Sequence, residues 1–202
     1  MKEIMDIHEL DNHNVELKDK YIKEFPIPKG DKKEPYLIVF DAYIGQGKST
    51  VSKIISKYDK SVIMNNDELR NWLNDYVNPD ILFELQWYRL DLILKNNNSC
   101  ILDSCSLKNW DYKKKYIDSL GYKYYVIRLV CDEDIIRERL SSRTKDGINF
   151  SIATYEDYLD MKKTYSRIDD SLISFTIDTG KDIEPQVIEF LNKYNLIGET
   201  NE

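Results

Sequence analysis

The amino-acid sequence predicts an α/β fold in which a parallel sheet lies between two layers of helices. Five apolar runs, 36–40, 61–64, 100–102, 124–130 and 173–177, alternate with longer stretches whose apolar residues recur at helical spacing. Parallel neighbours need long crossovers, and helices supply them, so this alternation implies a three-layer α/β/α arrangement. A glycine-containing loop between the first run and the helix after it stands at the carboxyl end of a strand, where open parallel sheets bind ligands.

Taken in order, residues 1–34 read as a charged N-terminal arm, and the body of the protein as one domain over 35–198. The arm ends in FPIPKGDKKEP, whose prolines and charges predict an extended connector. The first strand, 36–40, leads through the loop into a helix over 51–58, and the second strand is 61–64. Ile81, Leu85, Tyr88 and Leu92 then mark a helix with one apolar face, closed by Asn96, Asn97 and Asn98. The third and fourth strands follow, then a helix through 132–143 and a polar stretch, 144–149, with the composition of a lid. Tyr155, Tyr158, Leu159 and Tyr165 predict a late helix from Thr154 to about Ile168, the fifth strand comes next, and a last helix starts near Glu184. Scattered tyrosines at strand and helix spacing read as packing residues, not as a base-stacking surface.

Bulk composition narrows the function classes. With 36 acidic and 29 basic side chains the net charge is −7, so the chain lacks the basic surface of proteins that track long nucleic acids, although gripping a chain end needs only a local patch. Cys100, Cys105 and Cys131 show no metal-type spacing, and their odd number argues against a disulfide framework, which suits a reducing cytoplasm. No apolar run approaches the roughly 20 residues that span a bilayer, so a soluble protein without a membrane partner is expected. His8 and His13 both lie in the arm, so the α/β body holds no nucleophilic triad and any group transfer would be direct.

The loop reads Ala42-Tyr43-Ile44-Gly45-Gln46-Gly47-Lys48-Ser49-Thr50, a phosphate-binding pattern in its expected context. Gly45 and Gly47 let the backbone approach a nucleotide and turn successive N–H groups inward, and the helix N-terminus adds partial positive charge. Gly45, Gln46, Gly47, Lys48, Ser49 and Thr50 are the expected nucleotide-binding residues, with Lys48 on the β- and γ-phosphates and the Ser49 hydroxyl on Mg²⁺. Ala42 stands where glycine is usual, so the loop entrance must accept an ordinary backbone conformation.

Further candidates follow the strands. After the second come Asp67 and Arg70, one helical turn apart: Asp67 suits the base for an acceptor hydroxyl and Arg70 an anionic group of the acceptor, or the two form an i, i+3 pair with Asp67 as a cap. After the third stands Asp103, either a ligand of Mg²⁺ or its waters or an ordinary strand-end carboxylate. Arg137 has Glu133 and Asp134 within reach on a helix, whereas Arg139 and Arg143 face each other at i, i+4 with no helical carboxylate beside them. Two such cations imply an external anion, for which a moving phosphoryl group is suited; solvated surface arginines are the alternative. Asp178-Thr179-Gly180 either lines the purine end of a nucleotide pocket or simply turns the chain.

The segments Gly45 to Thr50 and Asn65 to Arg70, with Asp103, Arg139 and Arg143, resemble the P-loop kinases grouped around polynucleotide 5′-hydroxyl kinase and the zeta toxins, over roughly residues 36–194. The resemblance implies a parallel sheet of order 2-3-1-4-5 and a lid. It implies a general base at Asp67, an acceptor-phosphate contact at Arg70 and lid arginines at Arg139 and Arg143. The implied reaction is transfer of the γ-phosphate of ATP, with Mg²⁺, to an acceptor hydroxyl such as a nucleic-acid 5′ end. Asn66 stands where the nucleic-acid kinases often carry arginine, which leaves small-molecule acceptors open, namely nucleotides, nucleotide sugars or other metabolites. A regulatory nucleotide-binding ATPase is the reading from another class, and it has no use for an acceptor base. Oligomeric state is not encoded in any of these features.

Overall fold

The computed structural model describes residues 12–73, 79–146 and 153–197. Its sheet consists of β1 (Tyr36–Asp41), β2 (Val62–Asn65), β3 (Cys100–Asp103), β4 (Lys123–Val130) and β5 (Ile173–Asp178), all pairing parallel in the order β2-β3-β1-β4-β5. The expected order and fold class are therefore found. β1 is central and buried along its whole length, and its unbroken apolar run, 36–40, is what a strand covered on both faces requires. Its alternate side chains divide the core. Tyr36, Ile38 and Phe40 face α2 (Lys48–Asp59) and α8 (Ile183–Lys193), and Leu37 and Val39 face α4 (Pro79–Lys95) and α5 (Trp110–Leu120).

Four of the five strands end one residue beyond the apolar run, on a carboxylate or amide: Asp41, Asn65, Asp103 and Asp178. The ladder continues through these polar residues because they sit at the edge of the core, where their side chains reach loops. α2 begins at Lys48, three residues earlier than its apolar pattern, so Lys48, Ser49 and Thr50 form its first turn.

Two further differences matter to the site. The late helix, α7 (Tyr155–Thr164), starts with a capping box between Thr154 and Asp157 but stops before Tyr165, which is extended at φ −116° and ψ 123°. Tertiary contacts of residues 165–168 with the phosphate loop override the helical pattern there. α6 (Glu133–Asp146) runs through Thr144, Lys145 and Asp146, the first part of the expected lid, and residues 147–149 lie outside the described residues.

Within the N-terminal segment, α1 (Asn12–Glu24) packs on α4 and on α3 (Asn66–Leu73). Tyr21 is buried with Leu69, Leu73 and Leu85, its ring meets Phe25 and Trp72, and Lys18 pairs with Glu84 at 3.3 Å. The connector after it is extended and runs against the turn at Asn96 to Asn98. The Asn98 side-chain amide donates to the Pro28 carbonyl at 2.8 Å, and the Gly30 N–H donates to the Asn96 carbonyl at 3.1 Å. A Cβ at Gly30 would lie 2.1 Å from the Asn97 carbonyl oxygen, so only glycine allows this approach. No helix among the described residues is long and apolar enough to cross a membrane.

Candidate active site

The phosphate loop joins β1 to α2 and is shaped by two glycines with positive φ, 79° at Gly45 and 82° at Gly47. Ala42 is fully buried and takes no positive φ, so an ordinary backbone serves at the loop entrance. The Tyr43 N–H donates to Gln46 Oε1 at 2.7 Å, and Lys48 Nζ donates to the Tyr43 carbonyl at 2.9 Å, which folds the lysine back across the loop. The Ser49 and Thr50 side chains lie on the exposed side of the first turn of α2. Gly45 sits tightly against α6: a Cβ there would lie 2.8 Å from Ile136 Cγ2 and 3.1 Å from Leu140 Cδ1. Gly45→Ala combines that clash with about 1–2 kcal/mol of left-handed backbone strain, so we expect ATP affinity, measured by fluorescence titration, to fall at least about tenfold. Unchanged affinity would mean that the loop's shape does not matter to binding.

At the ends of β2 and β3, polar side chains converge on the loop. Asn65 donates through Nδ2 to Asp103 Oδ2 at 3.4 Å and accepts the Asp67 N–H at 2.8 Å through Oδ1, so one amide links both strand ends to the start of α3. Burial pushes the Asp103 carboxyl above the usual carboxylate range, against the opposing effects of a hydrogen bond from Ser49 and the charge of Lys48, while the Asp67 charge pushes it the same way as burial. The two residues expected at a metal, Ser49 and Asp103, thus lie close enough for the Ser49 hydroxyl to act on the Asp103 carboxyl. A buried carboxylate beside a hydroxyl is a hard oxygen donor set. Among the described residues there is no group of three or more His, Cys, Asp or Glu able to hold a metal ion, so a cation here would draw its remaining ligands from phosphate oxygens and water, as Mg²⁺ commonly does.

Asp67 and Arg70 lie on α3 and pair at 2.8 Å, both partly exposed, at 38% and 55% of their side-chain areas. Lys113 on α5 lies near them: it donates to the Cys105 carbonyl at 2.7 Å, and burial, together with the charges of Lys108 and Arg70, holds its ammonium below the usual lysine range.

The structure brings Arg139 to the opposite side of the loop. It is half-buried, and its guanidinium donates to the Thr179 hydroxyl at 3.1 Å and carbonyl at 2.6 Å. The Thr179 hydroxyl in turn donates to the Gln46 carbonyl at 3.2 Å. Arg139 therefore stands beside the phosphate loop and the turn after β5. Arg143 follows on α6, its side chain outside the described part of the structure. Arg137 pairs locally with Asp134 at 2.9 Å, as its spacing predicts.

Three residues of the site escaped the sequence reading. Asp41, fully buried at the end of β1, pairs with Arg128 of β4 and lies 3.5 Å from Arg167, which follows α7. Arg128 also pairs with Asp170 and donates to the Ile168 carbonyl. The available signal was the strand-end position of Asp41; nothing local marks its arginine partners.

The chain matches no protein-family model and no curated protein. Solved structures do resemble it. It is similar to Kti12 of Chaetomium thermophilum in complex with ADP-AlF3, at 14% identity and a TM-score of 0.61 over 81% of this chain and 98% of that one. It is similar to the APS kinase CysC of Mycobacterium tuberculosis in complex with AMPPNP and APS, at 16% identity and 0.57 over 80% and 98%. A gluconokinase from Sinorhizobium meliloti matches at 15% identity and 0.56 over 80% and 93%. Sheet order, phosphate loop and these likenesses together give the chain the P-loop kinase fold.

Proposed function

We propose that the protein is an ATP- and Mg²⁺-dependent phosphotransferase acting on an acceptor hydroxyl. The observation that carries this reading is the convergence of Ser49, Asp103, Asn65 and Asp67 at the ends of β2 and β3, beside the phosphate loop. A nucleotide switch needs the loop and a metal carboxylate but has no use for a carboxylate placed to take an acceptor proton. In the proposed reaction Asp67 takes the proton of the acceptor hydroxyl, whose oxygen forms the new bond to the γ-phosphorus. The bond from that phosphorus to the β,γ-bridging oxygen breaks, and ADP leaves. Arg70 holds an anionic group of the acceptor. Lys48, Arg139 and Arg143 offset the charge on the moving group, and the amides of Gly45 to Thr50 bind the phosphates. Ser49 and Asp103 are the residues that would hold Mg²⁺, which would supply positive charge against that of the phosphates.

The preferred acceptor is a 5′-hydroxyl polynucleotide end. A small anionic metabolite is the second reading, favoured by the net charge of −7 and by the likeness to an APS kinase solved with its small substrate. Incubation with γ-labelled ATP, Mg²⁺ and a panel of 5′-hydroxyl RNA and DNA, nucleosides, nucleotide sugars and sugar acids tests both. We expect label in one acceptor class. Release of labelled phosphate at a rate indifferent to every acceptor would replace the kinase with a regulatory ATPase.

A further inference from the structure

The phosphate loop is held from outside by a segment 126 residues further along the chain. Arg167 donates through one terminal nitrogen to the Asp41 carbonyl at 2.7 Å and through the other to Gln46 Oε1 at 3.0 Å, and its guanidinium carbon lies 4.3 Å from the centre of the Tyr43 ring. Gln46 is 3% exposed, and the same Oε1 accepts the Tyr43 N–H. On either side of Arg167 the segment makes two more contacts: the Tyr43 hydroxyl donates to the Tyr165 carbonyl at 2.9 Å, and the Ile168 N–H donates to Asp41 Oδ1 at 3.4 Å. Residues 165–168 thus grip the end of β1 and both arms of the loop.

We propose that Arg167 is a positioning residue that holds residues 42–47 in the shape that receives a nucleotide's phosphates, and that it ties nucleotide affinity to the position of α7. A loop with two left-handed glycines has no ladder to stabilise it, and when only a fraction of molecules hold the competent shape, affinity falls by that fraction. The Gln46 side chain closes the loop on itself through the Tyr43 amide, and Arg167 fixes that side chain. A planar fork with two acceptors at fixed positions suits arginine; a lysine ammonium satisfies one of them at a time. Because α7 ends immediately before this segment, a displacement of α7 carries the brace with it.

Loss of Arg167 leaves Asp41 paired with Arg128, so the brace is removable without stranding a buried charge. The affinity half of the proposal rests on the loop being a nucleotide site, so the test has a half that does not. Amide hydrogen exchange of the nucleotide-free protein reads the loop directly: Arg167→Ala and Gln46→Leu should each speed exchange at the Tyr43 amide about tenfold or more, since that amide opens when the brace is gone. In fluorescence titration with ATP, both variants should weaken binding about tenfold, Arg167→Lys should recover only part of it, and the double variant should be little worse than either single one. Acceptor KM should stay unchanged. Unaltered exchange at Tyr43 would overturn the brace, and faster exchange with unaltered ATP affinity would overturn its role in binding. If the unmodified protein binds no ATP, the nucleotide reading fails, and the exchange result still decides whether Arg167 holds the loop.

Discussion

Asp67→Asn is expected to lower the rate of phosphoryl transfer by about 10²-fold or more while leaving the affinity for ATP and the fold intact. Positioned general bases contribute typically 10²- to 10⁴-fold. Because phosphoryl transfer passes through a loose transition state with little bonding to the attacking oxygen, we place the effect toward the lower part of that range. Asparagine keeps the size of the side chain and a hydrogen-bonding oxygen, so the change isolates the ability to take a proton. The ion pair to Arg70 is lost as well, but both side chains are more than a third exposed, and exposed pairs contribute about 0–1 kcal/mol. The Asp67 N–H would still donate to Asn65, so the start of α3 keeps its hydrogen bond. Single-turnover transfer and a thermal melt together decide the matter. A slow chemical step with an unchanged melting temperature assigns the proton to Asp67; an unchanged chemical step reduces the residue to a partner of Arg70.

How far this site is readable from the sequence depends on whether its contacts are local. Gly45 to Thr50 are contiguous, and the loop's shape follows from the order of its residues, so the loop is legible from the sequence alone. Asp103 is legible because it ends an apolar run, and Asp67 because it opens the helix after another. Asp41 stands at the same kind of strand end, between the apolar run 36–40 and the loop that opens at Ala42, but its role depends on distant partners. Its partners Arg128 and Arg167 lie 87 and 126 residues away, and no periodicity links them. The sequence pattern makes α7 longer than it is for a related reason. Its tyrosine pattern continues past Thr164, but the Tyr165 carbonyl and the Arg167 guanidinium are engaged by the loop, and those contacts set where the helix ends. α1 is a third case: its composition is charged, and the burial of Tyr21 depends on Leu69, Leu73 and Leu85 of two other helices.

Arg128→Met should be the most destabilising single change in the site, by about 3–5 kcal/mol. Asp41 is fully buried, and Arg128 is its closest cation among the described residues; without it the carboxylate keeps, among those residues, Arg167 at 3.5 Å and the Ile168 N–H at 3.4 Å. The loss is dominated by the charge left behind, not by the contact removed, because a buried ion pair replaced as a whole is often neutral to stability. That distinction is measurable. The exposed partner Asp170 contributes little, since its side chain is 90% exposed, so Asp170→Ala should shift stability by less than about 1 kcal/mol. For a chain of this size the Arg128→Met loss corresponds to a melting temperature lower by roughly 10 °C. Adding Asp41→Asn to Arg128→Met removes the stranded charge and should recover part of that loss, giving a double variant more stable than the two single changes predict by addition. Strict additivity would mean that the two residues do not act on each other, and the pairing in register of Asp41 on β1 with Arg128 on β4 would then be a geometric accident. A coupled loss, by contrast, would make this ion pair the anchor that fixes the end of the central strand, from which the phosphate loop departs.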